Sequence, residues 1–235
     1  MKRRRTHGVR VCLFFFLLLA TVPAYCQRGN LGIDVGETSD TFGSQAATSA
    51  ADFNVDGQVS VIKGNNKEGS PSIVAGGEIR IPSDSSSHAT EYALFGGPAF
   101  HFRDFTIGVD AQVRKIHLPT EVVNGQFLAR GDMELLELPI VIKYRFMKSY
   151  FVQVSGAPEF TPRWRHSAPA TIGLPNPSLD HAYFVRGSVG RNFGKYYVRA
   201  TYENRYFSFI QNTSNPEGLY NWRSNLVTGG VGLNF

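Results

Sequence analysis

Trp222-Arg223-Ser224-Asn225-Leu226-Val227-Thr228-Gly229-Gly230-Val231-Gly232-Leu233-Asn234-Phe235 is the stretch that decides how the rest of the chain is read. From Val227 onward the alternate positions are Val227, Gly229, Val231, Leu233 and Phe235, with Thr228, Gly230, Gly232 and Asn234 between them. That is the two-residue period of a strand whose two faces meet different surroundings. The period runs into the last residue, an aromatic, where the ends of soluble domains usually fray into water. Phe235 therefore fixes one end of the fold, and every earlier strand takes its direction from it.

Nine further stretches carry the same period: Leu31–Val35, Phe53–Val61, Ile73–Ile81, Tyr92–Phe102, Phe105–Val113, Leu136–Phe146, Tyr150–Phe160, Tyr183–Val189 and Tyr196–Tyr202. Their apolar positions hold no charge. The positions between hold Asp34, Asp56, Glu78, Arg80, Asp110, Glu137, Lys143, Arg145, Glu159, Arg186 and Arg199. The expectation is ten strands, with eight as the alternative if two of these stretches are loops. Bacterial single-chain barrels avoid odd numbers. Pro98, Pro139 and Pro158 fall inside strands, and since proline removes a ladder hydrogen bond, bulges are expected there.

The connections are of two kinds. Arg103-Asp104, Met147-Lys148-Ser149 and Asn192–Lys195 are short and fall at the Phe235 end. Residues 38–51, 83–90, 118–131, 164–180 and 211–221 are longer and fall at the other end; Gly64–Ser70 is the one longish connection at the Phe235 end. Short turns at one end and long loops at the other are the asymmetry of an outer-membrane barrel. On the apolar face, Phe102, Phe105, Tyr144, Phe146, Tyr150, Tyr196 and Phe235 lie beside the short turns. Phe53, Tyr92, Phe160, Tyr183 and Tyr202 lie on that face toward the other end. Two aromatic rings around a Val/Ile/Leu/Gly band suit the two interfaces of a membrane, whereas a soluble core gives no reason to sort aromatics by depth. The fold expected is all-β, an antiparallel transmembrane up-and-down β-barrel.

Residues 1–26 are read as a cleavable signal peptide and 27–235 as the barrel domain. Lys2, Arg3, Arg4, Arg5 and Arg10 form a basic start, Val11–Val22 an apolar core too short to span a membrane, and Ala24-Tyr25-Cys26 a cleavage site. The net charge of +5 belongs to this segment: losing five of 24 basic residues leaves 19, against 19 acids. A basic nucleic-acid-binding surface is thereby excluded. Cys12 and Cys26 are the only cysteines and both lie in the segment, so no disulfide or cysteine metal site is expected in the remainder.

Leu136-Glu137-Leu138-Pro139-Ile140-Val141-Ile142-Lys143-Tyr144-Arg145-Phe146, a short turn, and a second strand ending Gly156-Ala157-Pro158-Glu159-Phe160 resemble the small outer-membrane β-barrel domain family (OmpA/OmpX-like and PorT-like barrels). The resemblance implies a barrel in the cell outer membrane, in contact with outer-membrane lipid and lipopolysaccharide. It also implies that Phe235 is a C-terminal sorting signal read by the barrel-assembly machinery. No cofactor, metal or nucleic acid is implied, and a monomer is expected. The family hosts many roles, so no activity follows from it.

The inward face carries Asp34, Asp56, Glu78, Asp110, Glu137, Glu159 and Glu203 against Arg80, Arg114, Lys143, Arg145, Arg186, Arg199 and Arg205. Side chains largely fill a barrel of this size, and buried charges must pair, so a salt-bridged lumen is expected. A narrow polar path for ions or small solutes is the alternative, although no ring of single-sign charge is visible. If Met147–Ser149 centres a hairpin, Glu137 faces Glu159, with Arg163 or Arg186 expected between them. No catalytic residue is assigned. His117, His166 and His181 fall near the long-loop rim, but His166-Ser167 and Asp180-His181 are chain neighbours and should point to opposite faces. Arg163-Trp164-Arg165, extended by Arg223, form a basic-aromatic cluster suited to lipopolysaccharide phosphates. Asn212-Thr213-Ser214 matches a glycosylation pattern that a bacterial export route leaves unused.

Overall fold

The computed structural model describes residues 28–42, 46–62, 69, 71–85, 87–117, 122–123, 126–127, 131–166, 178–210 and 221–235. The expected signal peptide, most of Gly64–Ser70, the outer parts of the long loops and Asn212-Thr213-Ser214 lie outside them. Fourteen strands follow in order. They are β1 (Gly29–Phe42), β2 (Thr48–Ile62), β3 (Pro71–Pro82), β4 (Thr90–His101), β5 (Phe105–Val109), β6 (Ala111–His117), β7 (Val122–Val123), β8 (Gln126–Phe127), β9 (Gly131–Glu137), β10 (Ile140–Phe146), β11 (Tyr150–His166), β12 (Ser178–Phe193), β13 (Tyr196–Ile210) and β14 (Trp222–Asn234).

Twelve of them form one antiparallel sheet. β5 and β6 are one stave interrupted at Asp110; β9 and β10 are one stave interrupted at Leu138-Pro139. That makes ten staves, each paired to its chain neighbour. β1 then pairs with β14 from Asn30↔Asn234 to Phe42↔Trp222, and the barrel is closed. Leu31–Val35, the shortest stretch read from sequence, is thus the seam that closes the ring. Closure removes every sheet edge. β7 and β8 form a separate hairpin within the expected 118–131 loop.

The staves overrun the expected bounds at the long-loop end. β11 continues to His166, β12 begins at Ser178, β13 continues to Ile210, and β1 and β2 extend to Phe42 and from Thr48. Residues 38–42 and 48–51 of the expected 38–51 loop, and 164–166 and 178–180 of the expected 164–180 loop, are therefore barrel wall. Polar side chains on the outward face there suit water, so the sheet persists where the apolar period stops.

Pro98, Pro139 and Pro158 produce no bulge. Pro139 and Pro158 lie on adjacent rungs of one seam, between Glu137↔Glu159 and Ile140↔Gly156, and the register is the same on both sides. Pro98 faces the gap beside Asp110, again with the register kept. An antiparallel residue sends its N–H to one neighbour only, so each proline costs a single bond at one seam. The shifts in register fall elsewhere, between Ser60 and Ile62, Phe160 and Arg163, and Leu179 and His181.

Outward positions form an apolar band. Ile140, Val152 and Val231 look away from the lumen, Val231 with 61% exposure. At its short-turn edge Phe105 stacks on Tyr144 at 4.5 Å, and Tyr144–Phe146–Tyr150 continue at 6.1 and 5.6 Å. Tyr92, Tyr183 and Tyr202 mark the other edge. Phe193 and Tyr183, at opposite edges on β12, are separated by about 33 Å of strand at ~3.3 Å per residue. A tilt of ~40° turns that into a height of about 25 Å, the thickness of a barrel's apolar belt. No helix among the described residues is long and apolar enough to cross a membrane.

Candidate functional site

The lumen is built in storeys. Nearest the short turns, Phe151 meets Tyr197 edge-on at 6.4 Å, and Lys143 rests its ammonium 4.5 Å from the Phe151 ring centre. Arg199 joins Asp34 and Asp56 on the wall beside them, with Arg199 Nε donating to Asp34 at 2.9 Å. Gly230 gives Asp34 its room, since a Cβ there would lie 1.6 Å from Asp34 Oδ1. A cavity of about 150 Å³ occupies this level, with Gln153, Ser155, Ser188, Thr201, Asp110 and Lys143 among its walls.

Above it lies an ionic layer of four arginines and six carboxylates. Arg80 Nε donates to Asp52 at 2.9 Å and its Nη1 to Glu91 at 3.0 Å. Arg114 bridges Glu137 (3.1 Å), Glu91 (2.8 Å) and Glu78 (3.5 Å). Arg186 holds Glu78 and Glu203, each at 2.6 Å. Arg205 Nη1 lies 3.3 Å from both Glu137 and Glu159, and its Nη2 reaches Glu203 at 3.5 Å. Arg114 and Arg205 also lean over the Phe184 ring. Each guanidinium meets several carboxylates, the condition under which buried charge is tolerable.

A third storey caps the ionic one. Ala89, Ile116, Met133, Leu135, Ala182, Phe207 and Trp222 form a buried apolar cluster, with Phe207 and Trp222 stacked at 4.9 Å. Trp222 Nε1 donates to Asp40 at 3.2 Å, and His88 Nδ1 meets the other Asp40 oxygen at 2.8 Å. His88 comes from the β3–β4 connection, which turns inward and leaves this ring 2% exposed.

The residues read from sequence as a polar lumen distribute unevenly over these storeys. Glu78, Arg80, Arg114, Glu137, Glu159, Arg186 and Glu203 meet in the ionic layer, and Arg199 in the pair below it. Asp110 and Lys143 line the cavity with no ion pair among the described residues. Arg145 is exposed at the short-turn mouth, where its N–H donates to Asp104 O. Glu137 does stand opposite Glu159, and among the described side chains the arginine that reaches both is Arg205; Arg186 holds Glu78 and Glu203 instead, and the Arg163 side chain lies outside the described residues. Arg205 reaches this rung from β13, two staves away around the wall.

Asp52, Glu91, Asp40 and His88 were not among the expected lumen residues. Asp52 and Glu91 each sit one residue beyond a strand end drawn at an aromatic, Phe53 or Tyr92, and carrying the period one step further would have reached them.

At the long-loop rim, Arg223 is exposed and its guanidinium lies over Tyr206 at 5.6 Å. Arg163, Trp164 and Arg165 run along β11 opposite Glu134, Met133 and Asp132; their side chains lie outside the described residues. His181 Nδ1 meets Asp180 at 2.8 Å, contrary to the expectation that chain neighbours diverge. The bulge between Leu179 and His181 breaks the alternation and brings both to one face. Ser208 is on the facing rung, but no hydrogen bond joins it to His181. No group of metal-ligating side chains occurs among the described residues.

No protein-family model and no curated protein matches the sequence. Solved structures do. The outer membrane protease OmpT from Escherichia coli superposes with a TM-score of 0.51 at 10% identity, over 89% of this chain and 97% of that one. The translocator domain of autotransporter NalP from Neisseria meningitidis gives 0.39 at 10% identity, over 96% of each chain. Ail, the attachment invasion locus protein of Yersinia pestis, gives 0.35 at 10% identity, over 88% and 98%. The likeness to OmpT is one of architecture and transfers no residue role at that identity. With its closed ring of ten staves, its outward apolar band and its ionic interior, the chain has the fold of a small outer-membrane β-barrel.

Proposed function

We propose that this protein is an integral outer-membrane barrel with a closed lumen, acting as a structural or surface-binding element rather than as a pore or an enzyme. The observation that carries the reading is the succession of an ionic layer and an apolar cap across one lumen, Arg114–Glu137 followed by Ile116, Met133, Phe207 and Trp222. An ion crossing it must separate buried ion pairs and then pass an apolar plug, and each step is costly. Residues 1–26 export the chain and are cleaved, Phe235 addresses it to the assembly machinery, and the barrel stands as a monomer in the outer membrane. The short turns face the periplasm and the extended staves rise outside.

The external surface binds lipopolysaccharide through Arg163, Trp164, Arg165 and Arg223. Exposed Arg223 over Tyr206, just beyond the aromatic edge at Tyr183 and Tyr202, supports that placement. Planar-bilayer recording of the purified protein tests the closed lumen. Silence is the expected result, and steady unitary openings would establish the narrow channel instead. The Asp180–His181 pair is the feature that favours a lipid-modifying enzyme. Lipid A mass spectra that change with the gene product would establish that activity in place of the structural role.

A further inference from the structure

We infer that the cavity beneath the ionic layer is a binding site for a small zwitterionic solute, held by Asp110 at one end and Lys143 at the other. The cavity reaches His101 and Thr106 beside the Arg103-Asp104 turn, so it is approached from the short-turn end and stops at the Arg114–Glu78–Arg186 roof. Its volume, about 150 Å³, matches a cavity that accommodates a benzene-sized molecule.

The charges around it are not equivalent. Glu78, Arg114, Arg186, Arg199, Asp34 and Asp56 all satisfy one another. Asp110 does not: it is 7% exposed, and its Oδ1 accepts no hydrogen bond among the described residues. Lys143 rests on the Phe151 ring with the like-charged Arg145 and Arg199 nearby and no ion pair among the described residues. A buried carboxylate and a half-buried ammonium, each without a counter-ion, are costly unless something brings the missing charges.

The wall around Asp110 reinforces this. Asp110 interrupts its own stave; Gly97 faces it on one side, next to Pro98 opposite Val109, and Pro139 faces it on the other, where Asp110 N–H still donates to Pro139 O at 3.0 Å. Prolines at both seams thin the ladder at the point where an unpaired carboxylate faces the cavity. Lys143 stands opposite Thr106, four residues down the same stave from Asp110. The two Cα atoms are thus about 13 Å apart along the wall at ~3.3 Å per residue. The Lys143 ammonium turns toward Phe151, on the rung of Arg145 and away from Asp110, which leaves the interval open for a short molecule with its ammonium toward Asp110 and its carboxylate toward Lys143. Ser188, Thr201 and Gln153 supply neutral hydrogen bonds around it.

The test is calorimetric titration of the detergent-solubilised full chain with γ-aminobutyrate, butyrate and butylammonium. The wild type is expected to bind γ-aminobutyrate saturably in the millimolar range or tighter, with both single-charge probes competing. Asp110→Asn should weaken γ-aminobutyrate and butylammonium about tenfold or more while leaving butyrate unchanged. Lys143→Gln should weaken γ-aminobutyrate and butyrate by a similar factor and spare butylammonium. Heat-modifiable gel mobility reports whether each variant has closed its barrel; if one does not, the other variant and the wild-type competition still decide. Absence of saturable binding by the wild type, binding that neither single-charge probe displaces, or binding indifferent to both substitutions would overturn the assignment. The result is independent of bilayer conductance, so solute binding and outer closure stand or fall separately.

Discussion

Along β14, Val231 lies in a wall that is apolar outside and ionic inside, whereas eight residues earlier Arg223 lies in a wall that is polar outside and apolar inside. Val231 shares its outward face with Val198 and Ile33, while Asp34 and Arg199 stand behind that wall. Arg223 lies with its guanidinium over Tyr206 on the outward face, with Phe207 and Trp222 stacked behind that wall. Ladder and parity are continuous between the two levels. What changes is the surrounding solvent. Hydrogen bonding fixes which side chains look in, and the environment decides which face must be greasy. The lower storeys are a membrane barrel and the upper one is built as a soluble barrel, on the same staves.

The sharpest way to break this contrast is to unbalance the ionic layer. Arg205 is fully buried and touches Glu91, Glu137, Glu159 and Glu203. Arg205→Ala should cost about 3–5 kcal/mol, because four buried carboxylates lose a shared counter-ion. Urea unfolding of protein refolded into lipid bilayers measures this, and a loss below about 1 kcal/mol would mean the layer is hydrated. In the upper storey the largest effect should come from packing instead. Trp222→Ala removes the stack on Phe207 and the donor to Asp40, and should cost about 3 kcal/mol by cavity formation. A negligible cost would show that the staves above the belt are held by the lower barrel alone.

The outer face sharpens the comparison. Val189 is 52% exposed midway between Tyr183 and Phe193, so Val189→Arg should cost about 2–4 kcal/mol in a bilayer. Glu37, exposed on β1 above the belt, should tolerate Arg within about 0.5 kcal/mol. Equal costs at the two positions, by the same unfolding measurement, would erase the boundary drawn between the storeys.

The two storeys were not equally legible. Val227–Phe235, with its strict alternation, locates a membrane wall from composition alone, because lipid and lumen demand opposite residues at successive positions. Phe207 and Trp222 share the inward parity of Arg205 and Ser224, yet their aromatic character reads as belt or rim when the lumen is expected to be ionic. From sequence the extended wall accordingly reads as loop. The Asp180–His181 contact was hidden for another reason: it depends on a bulge, and nothing in the local residues marks where a ladder gains its extra member. The three prolines pointed the other way, to bulges that a continuous register does not need.

Within the ionic layer the acids outnumber the arginines, and the smallest effect is expected where that surplus sits. Glu137 accepts from Arg114 and Gln112, whereas neither oxygen of Glu159 accepts a hydrogen bond among the described residues. Glu159 has Arg205 at 3.3 Å in its favour and Glu137 on the facing rung against it. Two carboxylates directly opposite repel, and one arginine shared among four carboxylates attracts each of them only in part. Glu159→Gln removes the attraction and the repulsion together, keeps the volume, and adds an amide that can donate to Glu137. The stability of the barrel should therefore shift by no more than about 1 kcal/mol in either direction. A loss of several kcal/mol would mean that Arg205 depends on Glu159 more than on its other partners, moving the weight of the layer from the Arg114–Glu137 contact to the β11–β13 side of the lumen.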